Sequence, residues 1–216
     1  VSEKLDENYF RSLGVTTLWL SPVTENTMKA ETDALPPNRE FTSYHGYWPT
    51  SYTKPNPAFG SMDDLRQVVS KAHEQDIAEV FDFVANDVHE DHPMITSQPE
   101  LATPLILDEG EEQGTEENLN IRKFDAHPLT TWFDKFLPSL DYGNNPDARQ
   151  VAIDAAMYWM AETNADGFRH DATKHIAISF WQELTEEINN LSRSTGKRYF
   201  QVGETIGSRE TIMLNT

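Results

Sequence analysis

The stretch ADGFRHDATKHI, residues 165–176, decides how the chain is expected to fold. In an extended strand, side chains two residues apart point to the same side of the sheet. Arg169 and Asp171 therefore share one face, while Phe168 and His170 point to the other. The stretch predicts a core strand that places a cation and an anion side by side on one face.

Helical and extended patterns alternate on both sides of this strand. Strands are predicted over 15–23, 77–87 and 198–205, and helices over 3–13, 61–75, 147–163 and 178–191, with a polar loop over 24–41. The helix over 61–75 has the clearest signal, because Ser61 can cap it with Asp64 three residues on. This alternation predicts an α/β protein with a parallel sheet, either open or closed into a barrel.

Three predicted strands each end in a carboxylate: Asp82, Asp171 and Glu204. Active sites of parallel α/β folds gather at the carboxyl ends of the strands, so these groups are expected at one rim. A carboxylate pair suits glycoside hydrolysis, in which one ionised member attacks and one protonated member donates to the leaving oxygen. Arg169 is expected to lower the pKa of Asp171 and keep it ionised. Glu204 follows an apolar run, and partial burial there would favour the protonated form of an acid. The alternative is a structural Arg–Asp pair beside an unrelated surface glutamate.

The segment YHGYWP, residues 44–49, is a second candidate for substrate binding. Aromatic rings stack on the apolar faces of sugars, and Gly46 allows close approach of the backbone. A buried aromatic corner would give the same sequence, so both interpretations stay open at this point.

Composition excludes several classes of function. The 216 residues include 17 basic and 36 acidic ones and carry a net charge of −19, which disfavours nucleic-acid and membrane partners. The absence of cysteine excludes disulfides and thiolate metal sites. Neither a phosphate-binding glycine loop nor a zinc-protease HExxH motif occurs, and HEDH (89–92) has the wrong spacing for the latter. A hard cation such as calcium, held by Asn86 and further oxygens, suits these residues better than zinc. The acidic run over 108–117 is expected to be a solvated loop.

Taken together, these segments resemble the alpha-amylase family, family 13 of the glycoside hydrolases. The similar blocks are YHGYW (44–48), DFVAND (82–87), GFRHDATKH (167–175) and QVGET (201–205). The resemblance implies retaining cleavage of α-1,4-glucosidic bonds in starch or maltooligosaccharides, with Asp171 as nucleophile, Glu204 as acid/base and Arg169 as the partner of Asp171. It also implies Asn86 as a calcium ligand and a secreted or periplasmic location. The residues expected to bind substrate or support its site are His45, Tyr47, Trp48, Asp82, Asp87, Lys174 and His175.

The resemblance implies a partial (β/α)8 TIM barrel, covering about the second to the fifth strand. Residues 1–87 and 138–216 would form the barrel parts, and 88–137 a short irregular insertion after the third barrel strand. Asp87 stands where the family has a sugar-binding histidine, and the block with the family's third catalytic aspartate has no counterpart up to Thr216. An open half barrel exposes sheet edges, so missing barrel segments or self-association are expected to cover them. The alternatives to hydrolysis are α-glucan transglycosylation and a catalytically decayed carbohydrate-binding or scaffold protein.

Overall fold

A parallel sheet of four strands forms the centre of the chain in a computed structural model, which describes residues 1–32, 39–105 and 124–214. The strands are β1 (Thr17–Leu20), β2 (Glu31–Thr32), β3 (Glu40–Phe41), β4 (Ala78–Phe83), β5 (Gly167–His170) and β6 (Phe200–Gly203). Strands β1, β4, β5 and β6 lie side by side in that order, and every neighbouring pair is parallel. The predicted parallel α/β sheet is therefore confirmed.

A helix occurs in each connection between neighbouring strands of this sheet. The helices are α1 (Ser2–Asp6), α2 (Tyr9–Ser12), α3 (Met62–His73), α4 (Pro93–Ser97), α5 (Pro146–Thr163), α6 (Ile178–Thr195) and α7 (Arg209–Leu214), with short 3-10 helices at Pro99–Leu101 and Thr173–His175. Helices α3, α5 and α6 follow β1, β4 and β5, respectively. A parallel strand must return to the same end of the sheet, and a helix is the usual crossover.

The ends of the long helices follow from local sequence signals. Ser61 and Asp64 form the predicted capping box at the start of α3. Helix α5 begins after Asn145, whose side chain accepts hydrogen bonds from two backbone N–H groups of the first turn. Helix α6 ends at Gly196, which adopts a left-handed conformation with φ of 72°.

The structure corrects two predicted elements near the N-terminus. The single helix predicted over 3–13 is divided into α1 and α2 by Asn8, whose φ of 54° is left-handed and breaks the helical hydrogen bonding. The predicted loop over 24–41 contains the antiparallel pair β2 and β3. The strands of the main sheet are also shorter than predicted: β1 covers Thr17–Leu20, β4 covers Ala78–Phe83 and β6 covers Phe200–Gly203.

The two faces of the sheet have different chemistry, and this difference positions the site. Phe81 and Phe168 are 1% exposed and belong to the main core together with Trp159 of α5. Asp82 and Arg169 are neighbours in the β4–β5 register, one residue along each strand, so they point to the opposite face. The helices therefore cover the apolar face, and the polar pair points away from them.

The opposite face is open at both edges of the sheet. Trp19 on the edge strand β1 is 58% exposed, and Phe200 and Val202 on the edge strand β6 are 57% and 44% exposed. Both edge strands therefore expose large apolar side chains. The covering of these edges by further barrel segments or by self-association stays a prediction.

Two isolated bridges lie at the predicted insertion over 88–137: one pairs Asp87 with Ser139 on its two flanks, and the other pairs Ala102 inside it with Leu140 outside it. The acidic run at 108–117 lies outside the described residues, and the division of the chain into three parts stays a prediction. In the described ranges, no helix combines the length and the apolar character that crossing a membrane requires.

Candidate active site

Three acidic side chains meet where β4, β5 and β6 end. Asp82 lies on β4, Asp171 directly follows β5, and Glu204 directly follows β6. The backbone continues the ladder past the strands, because Asp171 N–H donates to the Phe83 carbonyl and Glu204 N–H donates to the His170 carbonyl. These backbone hydrogen bonds hold Asp171 and Glu204 at the end of the sheet.

The Arg169 guanidinium bridges all three carboxylates. Its Nη1 donates to both oxygens of Asp82, at 2.9 and 3.0 Å, and to Oδ1 of Asp171 at 2.7 Å. Its Nη2 lies 2.9 Å from Oε2 of Glu204. Asp171 and Glu204 are therefore held close to each other, because they contact the two terminal nitrogens of the same planar group. The predicted Arg–Asp pair is one part of this larger cluster, and the alternative of an unrelated surface glutamate does not fit the geometry.

Asp82 connects the cluster to two aromatic side chains. Its carboxylate also accepts hydrogen bonds from the Tyr47 hydroxyl at 2.9 Å and from the Trp19 indole N–H at 3.1 Å. Burial raises the pKa of Asp82, although Arg169, Tyr47 and Trp19 all act in the opposite direction. Trp19 is not among the site residues predicted from the sequence. Its place could have been predicted from the alternation of side chains along β1, which puts Trp19 on the same face as Asp82 of the neighbouring strand.

The pKa of Asp171 differs from the expectation. Arg169 does favour the ionised form, but burial of the carboxyl group and the negative charges of Asp82 and Glu204 outweigh it. The pKa of Asp171 is raised to about 7. The prediction of a lowered value was wrong, because burial of the carboxyl group opposes ionisation and because three carboxylates share the positive charge of one guanidinium.

Glu204 is the more open member of the pair, with a side chain that is 36% exposed. Ala172, directly after Asp171, adopts a left-handed φ of 49° that is unusual for a residue with a Cβ atom. This conformation directs its N–H to Oε2 of Glu204 at 3.3 Å. Strained backbone at such a position is common in functional sites. The turn therefore links the two candidate catalytic groups through the main chain.

The aromatic segment at 44–48 lies beside the cluster and is only partly a buried corner. His45 Nδ1 accepts a hydrogen bond from the Tyr47 N–H at 3.0 Å, and burial lowers the pKa of His45. The neutral ring then carries its proton on Nε2, where it can donate to a ligand. Trp48 is buried and packs edge-on against Phe136, with ring centroids 4.8 Å apart. Contact between Trp48 and a sugar stays a prediction.

Lys174 and His175 lie in the short 3-10 helix after β5. Oγ1 of Thr131 and Nδ1 of His175 are 3.0 Å apart, and burial lowers the pKa of His175 to about 4. The Lys174 ammonium sits over the Phe124 ring, 4.3 Å from its centroid. Both residues thus stand on the same rim, and their roles as substrate contacts stay predictions.

Asp87 is buried at 1% exposure, beside the carboxylate cluster. Its Oδ1 accepts a hydrogen bond from the Asn86 side chain at 3.2 Å, and its Oδ2 has no hydrogen-bond partner in the described part of the chain. Burial and the charge of Asp171 raise the pKa of Asp87 well above its ordinary value. A buried carboxyl group therefore occupies the position where the resemblance implies a sugar-binding histidine.

The described residues do not by themselves supply a calcium site. Asn86 donates to Ser139 and Asp87, both at 3.2 Å, and calcium needs six to eight oxygen ligands. No group of three or more histidine or acidic side chains that could hold a metal ion occurs within residues 1–32, 39–105 and 124–214. Calcium binding at Asn86 stays a prediction from the resemblance, and none of the chemistry below depends on it.

Comparison with known proteins agrees with this geometry. Residues 1–214 match the family described as alpha amylase, catalytic domain. A cyclomaltodextrin glucanotransferase from Bacillus sp. (strain 1-1) is 32% identical over 197 residues, which are 87% of this chain and 27% of that protein. Alpha-amylase 3 from Dictyoglomus thermophilum is 29% identical over 88% of this chain and 36% of its own length.

Solved structures show the same fold. The crystal structure of an alpha-amylase from Geobacillus thermoleovorans in complex with acarbose superposes with a TM-score of 0.69 and 31% identity. The match covers 95% of this chain and 40% of that one, so the chain spans well under half of the relatives it matches. The four parallel strands are therefore part of an alpha/beta barrel, as predicted. The chain belongs to the alpha-amylase family, and what it represents is a part of that family's catalytic domain.

Proposed function

We propose that the protein containing this chain hydrolyses α-1,4-glucosidic bonds of starch or maltooligosaccharides with retention of configuration. The observation that carries the proposal is the bridging of Asp171 and Glu204 by the single guanidinium of Arg169. In retaining glycosidases the two carboxyl groups stand about 5 Å apart, because no water has to fit between the sugar and the nucleophile. One arginine that binds both groups supports such a short separation.

Two steps follow from this arrangement. An ionised Asp171 attacks the anomeric carbon and forms a glycosyl ester, while Glu204 gives its proton to the departing oxygen. Water then attacks the anomeric carbon of the glycosyl ester, Glu204 takes a proton from that water, and the bond from that carbon to Asp171 breaks to release the carboxylate. Arg169 stays charged throughout and stabilises the ionised form of Asp171 before attack and after release.

The surroundings favour a neutral, polyhydroxylated substrate. The net charge of −19 disfavours anionic ligands, and the rim presents the partly buried rings of His45 and Tyr47. The names of the relatives, alpha-amylase and cyclomaltodextrin glucanotransferase, support an α-glucan as the substrate class.

Trapping of the covalent intermediate tests the proposal directly. A 5-fluoro glucosyl fluoride forms a long-lived ester with the nucleophile of a retaining enzyme, and mass spectrometry of peptides locates it. We expect the label on Asp171, and we expect the Asp171→Asn variant to lose both label and turnover of maltooligosaccharides. Asp154→Asn, at an exposed position on α5, is the matched control and should keep both. Turnover by Asp171→Asn at the wild-type rate would refute the assignment, and glucan binding without turnover by the wild type would support the non-catalytic alternative.

Transfer to a sugar acceptor is the second candidate, favoured by the 32% identity to a cyclomaltodextrin glucanotransferase. The same glycosyl ester would form on Asp171, and a sugar hydroxyl would replace water in the second step. Product analysis separates the two reactions, because transfer yields longer or cyclic glucans without a matching increase in reducing ends.

A further inference from the structure

Trp19 occupies an unusual place for a large aromatic side chain on an edge strand. It is 58% exposed, yet its indole N–H donates to Oδ2 of Asp82 at 3.1 Å. The Arg169 guanidinium carbon lies 5.0 Å from the centroid of the same ring. The edge of the Trp19 indole therefore contacts Asp82, and the face of the same ring contacts Arg169.

Neither contact is explained by packing of the core. Trp19 is absent from the buried clusters formed by the described residues, whereas Leu18 and Leu20 of the same strand pack against them. Alternation along β1 directs Trp19 to the face that carries the carboxylates. Attraction between a guanidinium and an aromatic face restricts the plane of the guanidinium, and that plane determines where Nη1 and Nη2 point.

We propose that Trp19 is a positioning residue of the active site, which fixes the Arg169 guanidinium through its ring and the Asp82 carboxylate through its N–H. This inference rests on the proposed function, in which Arg169 holds Asp171 and Glu204 together. Trp19 does not touch the reacting atoms. It acts through Arg169, and its loss should weaken the contact that favours the ionised form of Asp171.

The test measures the ionisation of Asp171 in the free protein, so it does not require turnover. The charged or titratable groups that face Asp171 are Arg169 on its own strand, Asp82 on β4, Asp87 after β4 and Glu204 after β6. Carboxyl-carbon NMR of aspartate-labelled protein follows the titration, and the signal missing in Asp171→Asn assigns it. Trp19→Phe keeps the ring and removes the N–H, and Trp19→Leu removes both.

We expect the midpoint of Asp171 to fall by about half a pH unit in Trp19→Phe, because the lost N–H no longer favours the ionised form of Asp82. In Trp19→Leu the ring contact with Arg169 is lost as well, and we expect a midpoint about one unit above that of Trp19→Phe. Trp132→Phe, which loses an indole hydrogen bond of 3.0 Å to Thr103, is the matched control and should titrate like the wild type. If Trp19→Leu does not fold, Trp19→Phe alone decides the question. A wild-type midpoint in the folded Trp19 variants would overturn the inference. If the wild type has no glycosidase activity, the proposed function is refuted, whereas the titration of Asp171 still tests the role of Trp19.

Discussion

Glu79 on β4 gives a prediction whose size follows from the structure. Its side chain is fully buried at 0% exposure, and neither carboxylate oxygen has a hydrogen-bond partner in the ranges that the structure describes. Burial, followed by the negative charge of Asp166, raises the pKa of Glu79 from 4.5 to about 8. At pH values between 4.5 and about 8, Glu79 therefore keeps its proton in the folded protein and releases it in the unfolded chain.

The sign of the pH dependence follows from proton linkage. Between the unfolded and folded pKa values the folded state binds more protons, so the free energy of unfolding falls as the pH rises. The full shift corresponds to about 5 kcal/mol at 1.36 kcal/mol per pKa unit, and the part that develops between pH 5 and pH 8 is about 3 kcal/mol. Glu79→Gln removes the ionisable group, and any constant effect of the amide cancels when two pH values are compared.

The assay is urea unfolding followed by the fluorescence of the five tryptophans, at pH 5, 6, 7 and 8 and constant ionic strength. We expect the stability of Glu79→Gln relative to the wild type to increase by about 3 kcal/mol across this range. Glu74→Gln, the same exchange at an exposed position after α3, should show no such trend. A difference between Glu79→Gln and the wild type that stays constant with pH would refute the reasoning.

Three further predictions concern the active site and the sheet. The pKa of Asp171, about 7, should set the acidic limb of a plot of kcat/KM against pH. Below this pH the activity should fall, because the proposed nucleophile becomes protonated. An acidic limb near pH 4 would contradict this prediction. Gly167→Ala should prevent folding or destabilise strongly, because a Cβ atom would lie 1.8 Å from the Phe200 carbonyl oxygen; circular dichroism after expression would show it. Ser61→Ala should lower the free energy of unfolding by about 1 kcal/mol through loss of the α3 cap, measured by urea unfolding.

The Arg169 cluster explains why its members are not interchangeable. Only a planar group with several N–H donors can bind Asp82 through one nitrogen and Glu204 through the other, while also contacting Asp171. A lysine at this position would offer a single point charge. Burial of Asp171, together with the nearby negative charges of Asp82 and Glu204, keeps the pKa of Asp171 near neutrality rather than in the acidic range.

The sequence by itself determined the alternation of the main strands and helices, the parallel sheet and the strand ends that carry the acidic side chains. Alternation with period two put Arg169 and Asp171 on one face, and Ser61 and Gly196 marked the helix ends, because these signals depend on residues near each other in the chain. Only the tertiary structure decided how the carboxylates share one guanidinium, why the pKa of Asp171 rises, and that Trp19 contacts both Asp82 and Arg169. Those properties depend on distances between strands that are far apart in sequence and on burial, and no local pattern specifies either quantity.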